Sequence, residues 1–67
     1  MNATQHWANT RQRQLVAEAR SYCQLLADEA TADVPAFMLR VMERKRDLAI
    51  EEANCWRHLI GLPPIVL

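Results

Sequence analysis

The chain has 67 residues, eight basic and eight acidic, for a formal net charge of zero, and 51% of it is hydrophobic with a single glycine. A chain this short buries only about 60% of the surface that its unfolded form exposes, so it makes one small domain, 1–67, with a marginal core of its own. Charge neutrality argues against a nucleic-acid or membrane binder working through bulk charge, and the single glycine excludes a collagen-like segment or a glycine-rich phosphate loop.

From Met1 to Thr10 no basic segment leads into an apolar one, and no apolar run approaches the roughly 18 residues of a membrane span; the expected site of action is the cytoplasm. Thr4 to Ala30 contains neither glycine nor proline and is rich in Ala, Arg, Gln, Leu and Glu, which predicts one long helix over 4–30. Thr31-Ala32-Asp33-Val34-Pro35 is the break, with Asp33 the expected cap of the next helix and Pro35 in its first turn. The second helix is expected over 34–60. Gly61 is placed as its left-handed stop, and Pro63-Pro64 forbid continuation into the apolar tail Ile65-Val66-Leu67.

The expected fold is therefore all-α: a two-helix antiparallel hairpin nearly 40 Å long at 1.5 Å per residue. A turn centred between Thr31 and Ala32 sets Leu15 level with Leu48, Tyr22 with Val41, Leu26 with Phe37 and Trp7 with Trp56. Apolar meets apolar at each level. The apolar arcs, roughly 180° wide in the first helix and 160° in the second, exceed the stripe needed for one partner helix. Each hairpin is expected to bury its second edge against another copy, giving a homodimeric four-helix bundle with Trp7, Leu15, Tyr22, Leu26, Phe37, Val41, Leu48, Trp56 and Leu59 in the core or dimer interface.

Four charges interrupt these arcs. Arg11 and Glu18 lie seven apart in the first helix, as do Lys45 and Glu52 in the second, so Arg11 comes level with Glu52 and Glu18 with Lys45. They read as boundary salt bridges of about 0–1 kcal/mol each, or as partly buried pairs that set hairpin register and dimer orientation, or else Glu18 or Lys45 faces a partner protein. The run Glu43-Arg44-Lys45-Arg46-Asp47 points its arginines in different directions, as a solvated mixed-charge surface does. Leu39, Met42, Arg44 and Arg46 are the candidate contacts for a larger protein, the apolar pair standing at the exposed edge of the second helix and arginine suiting interfaces.

Chemistry is sparse. Cys55 and His58 have C-x-x-H spacing and His6 comes level with them, but no fourth zinc ligand accompanies them and no third residue orients the histidine for nucleophilic catalysis. The two cysteines, Cys23 and Cys55, form no secreted disulfide framework. The expectation is a non-enzyme without cofactor or metal. The tail from Leu62 to Leu67 either lies against the open end over the tryptophans or is a linear ligand offered to a partner.

In length and layout, over the Thr4-to-Ala30 helix, the Thr31-to-Pro35 turn and the helix ending at Gly61, the chain resembles small phage-encoded inhibitors of host proteins, such as the anti-activator that silences a bacterial quorum-sensing regulator. The resemblance implies host takeover by sequestration of a transcription regulator or a motor ATPase, and transfers no functional residue. Two alternatives share the hairpin layout. One looks like the plasmid copy-number protein that clasps paired RNA loops, for which only Arg13 and Arg20 approximate the needed basic stripe; the other is a co-chaperone of secretion-system needle subunits.

Overall fold

A computed structural model describes residues 2–28 and 32–67. Two helices pack against each other, α1 over Ala3–Ala27 and α2 over Ala36–Leu59, and the described residues contain no strand. The molecule measures 46 × 16 × 14 Å, the proportions of one hairpin.

The start of α1 is held by a capping box. The Asn2 side chain accepts a hydrogen bond from the Gln5 backbone N–H at 2.8 Å, and the Gln5 side chain accepts one from the Asn2 N–H at 3.1 Å. Two N–H groups that a helix start leaves unpaired are thereby satisfied. The helix starts at Ala3 and ends at Ala27, where Asp28 turns extended; Glu29, Ala30 and Thr31, on which the expected helix end and turn centre fall, lie outside the described residues.

Asp33 is not the cap of α2. It lies in a 3₁₀ turn with Ala32, and the N-cap is Pro35, in a polyproline-like conformation and without a side-chain cap bond. Steric conflict between a proline ring and the preceding residue disfavours helical geometry there, so α2 starts at Ala36 rather than at residue 34. Its other end is a complete Schellman motif. Gly61 sits at φ +78°, its N–H donates to the His58 carbonyl, and the Leu62 N–H donates to the Arg57 carbonyl at 2.8 Å.

The seam between the helices follows three- and four-residue steps: Ala8, Gln12, Leu15, Ala19, Tyr22 and Leu26 on α1 against Leu39, Met42, Arg46, Ala49, Ala53, Trp56 and Ile60 on α2. Four of the six buried apolar residues described are alanines, and Ala8, Ala19 and Ala53 are wholly inaccessible. Small side chains here let the helix backbones approach closely, and Trp7, Phe37, Val41, Leu48 and Leu59 are left outside the seam. No large side chain among the described residues is fully buried.

Gln12 is the buried polar residue of the seam. Its amide donates to Asn9 Oδ1 at 3.1 Å and accepts from Arg57 Nη1 at 3.0 Å. Arg57 also donates through Nε to the Pro63 carbonyl at 2.8 Å, tying α1, α2 and the tail together. Further along, Asn54 grips both backbone groups of Ile65, donating to its carbonyl at 3.1 Å and accepting from its N–H at 2.8 Å. Ile65 is thereby packed against the core cluster.

Candidate functional site

The two flanks of the seam differ. On one, Ile65 comes down beside Gln12, Val16 and Arg57, and the tail runs back along α2 past Asn54 and Ile50. This flank has an intramolecular cover. On the other, Arg11, Leu15, Glu18 and Tyr22 of α1 face Lys45, Leu48, Ala49 and Glu52 of α2 across an open hollow of about 300 Å³. No segment among the described residues covers it.

Helical spacing extends this open flank in both directions. Trp7, Arg11, Glu18, Tyr22 and Leu25 follow one side of α1, and Phe37, Val41, Lys45, Leu48, Glu52 and Leu59 one side of α2. Its large apolar members are open to solvent: Phe37 is 59% exposed, Leu59 58%, Trp7 56%, Leu48 55% and Val41 41%. Scattered exposed apolar residues are ordinary, whereas these recur at helical spacing along one flank.

The residues assigned from the sequence to the core or dimer interface thus divide. Leu15 is buried, and Tyr22, Leu26 and Trp56 are half-buried in the seam; Trp7, Phe37, Val41, Leu48 and Leu59 are exposed. Trp7 and Trp56 meet edge to face, with ring centroids 4.7 Å apart and planes at 79°. The Trp56 indole N–H is buried without a hydrogen-bond partner.

Of the four charges, Arg11 and Glu52 form an ion pair at 3.3 Å, their side chains 39% and 50% exposed. Glu18 and Lys45 border the same hollow without an ion pair between them. The contacts proposed for a larger protein separate as well. Leu39 and Met42 are half-buried in the seam rather than at an exposed edge, because the alanine-spaced seam rotates α2 to bring them inward. Arg44 is exposed. Arg46 is half-buried and bridges to Asp47 at 3.0 Å, and the hydrogen bond to Asp47 raises its pKa above the ordinary arginine value.

Three residues that hold the arrangement carry no local sequence signal: Gln12, Asn54 and Arg57. Arg57 meets a partner 45 positions away, and Asn54 one 11 positions away across the Gly61 stop. The Asn2/Gln5 box, in contrast, is a readable N-x-x-Q pattern before a helix.

His6, Cys55 and His58 are all exposed, and both cysteines are free. Among the described residues no group of three or more His, Cys, Asp or Glu side chains is arranged to hold a metal ion. Within the same residues no helix is long and apolar enough to cross a membrane. What the open face offers chemically is apolar area edged with charge of both signs. Comparison with protein-family models, with curated proteins and with solved structures returns no match for this chain.

Proposed function

We propose that this chain is a cytoplasmic, non-enzymatic protein-interaction module that homodimerises into a four-helix bundle and, in that form, binds and inhibits or sequesters a larger protein. The observation that carries this reading is the open flank: a thin seam of alanines leaves Trp7, Phe37, Val41, Leu48 and Leu59 exposed in a row. Leaving such a surface in water forgoes about 25 cal/mol for each Å² of apolar area that a partner would bury. The layout it shares with phage-encoded inhibitors of host proteins makes a transcription regulator or an ATPase the kind of target expected.

A tagged protein passed over nuclease-treated lysate tests the reading. The expected result is a discrete protein retained by the wild type and lost with Leu48→Glu, which leaves the seam intact and breaks the dimer in which the target is bound. Retention unchanged by Leu48→Glu would count against the open face.

RNA binding is the second reading, favoured by one observation: Arg13, Arg20 and Arg57 line a common hollow on the tail-covered flank. Arg57 is committed to Gln12 and Pro63, which leaves two free guanidinium groups there. If RNA is the target, the retained material vanishes with nuclease, Arg13→Glu with Arg20→Glu abolishes binding, and affinity falls steeply with salt.

A further inference from the structure

The open face carries a charge pattern that says what covers it. Arg11 and Glu52 sit at one level of the hairpin. Glu18 and Lys45 lie seven residues further toward the turn, about 10.5 Å along the helix axes. The four charges therefore form a rectangle, positive and negative on one level, negative and positive on the next, with Leu15 and Leu48 at its centre.

Such a rectangle is complementary to itself. A second copy laid face to face by a two-fold axis parallel to the helices sets α1 on the partner's α2 at equal levels. Arg11 then meets the partner's Glu52, and Glu18 meets the partner's Lys45. A two-fold axis crossing the helices at Leu15 and Leu48 sets each helix on its own copy reversed, so that Arg11 meets the partner's Glu18 and Lys45 meets the partner's Glu52. Opposite charges face each other at all four corners in either arrangement. A face of one sign has this property in neither arrangement, and one with like charges along each level has it only about the axis that crosses the helices.

The size of the molecule permits such a contact. Its extents of 46 × 16 × 14 Å give its broad side an outline of about 700 Å², of the order of the roughly 800 Å² per partner of a standard stable interface. An isologous contact also buries every exposed apolar row twice, once from each copy.

We infer that the occupant of the open face is a second copy of this chain, docked isologously, and that Arg11, Glu18, Lys45 and Glu52 select that copy by mutual charge complementarity. This rests on the dimeric interaction module proposed above and adds which face is shared and what chooses it. The larger target then meets the surface that remains, which includes Arg40 and Arg44.

Sedimentation equilibrium on the whole chain tests the inference with three variants. Glu18→Lys with Glu52→Lys makes the rectangle wholly positive; Arg11→Glu with Lys45→Glu makes it wholly negative. Each is expected to weaken self-association at least tenfold, and an equimolar mixture of the two is expected to recover dimers. The fourfold exchange Arg11→Glu, Glu18→Lys, Lys45→Glu, Glu52→Lys keeps the Arg11–Glu52 pairing in reversed sense; it is expected to dimerise with itself and not with the wild type. Helical circular dichroism of each species confirms that the hairpin persists, and the fourfold variant carries the test should either uniform rectangle unfold. Wild-type dimers that both uniform variants reproduce unchanged would overturn this choice of face while leaving dimerisation standing. A wild type of monomer mass at every concentration would overturn the dimer itself.

Discussion

Individual side chains set what the seam tolerates. Ala53 is wholly inaccessible between the helices, with no room for added methyl groups. Ala53→Leu is expected to lower stability by about 1–3 kcal/mol through overpacking, read as a lower urea midpoint. Trp56 behaves differently, since its ring packs on the cluster while its N–H is buried and unpaired. An unpaired buried donor costs about 1–3 kcal/mol, so Trp56→Phe is expected to unfold at the same or a higher denaturant concentration. Trp56→Ala, which also removes the edge-to-face contact with Trp7, is expected to cost about 2–3 kcal/mol, less than a fully buried tryptophan would. A loss in Trp56→Phe as large as in Trp56→Ala would show that the N–H is satisfied in solution.

At the scale of the elements, the two ends of the hairpin's helices are stopped by different means. α1 begins with a reciprocal side-chain box, and Asn2→Ala is expected to cost about 1 kcal/mol and to raise amide exchange in the first turn. α2 ends at Gly61, where an added Cβ would meet no atom within 4 Å. The cost of Gly61→Ala is therefore backbone strain at φ +78° alone, about 1–2 kcal/mol, and Gly61→Asn is expected to recover part of it because asparagine tolerates that conformation better. Both ends were open to reading from the chain, because capping patterns are local. The start of α2 was less so: Asp33 has the chemistry of a cap, yet Pro35 decided the boundary through its steric demand on Val34.

For the whole molecule the decisive feature is asymmetry between the flanks. Asn54 and Arg57 fold the tail onto one flank, so that flank needs no partner. Asn54→Ala is expected to release Ile65, seen as rapid exchange of its amide and a loss of about 1–2 kcal/mol, without changing the self-association proposed for the opposite face. A change in sedimentation behaviour as large as that of the charge variants would place the tail in the dimer contact instead.

The sequence by itself determined the two helices, the stop at Gly61 and the shared level of Trp7 and Trp56, because helix periodicity, capping and proline sterics act over a few residues. It also marked Arg11, Glu18, Lys45 and Glu52 as a set, through their seven-residue spacing and opposite signs. Which apolar residues close the seam was decided only by the tertiary structure. Arcs of 160–180° contain both a seam and a flank, and periodicity alone cannot divide them. Close approach of the backbones selects the alanines, turning Leu39 and Met42 inward and leaving Phe37, Val41 and Leu48 outside. The docking of the tail was likewise settled in three dimensions, since Asn54, Arg57 and Gln12 find their partners across the fold, where no local pattern reaches.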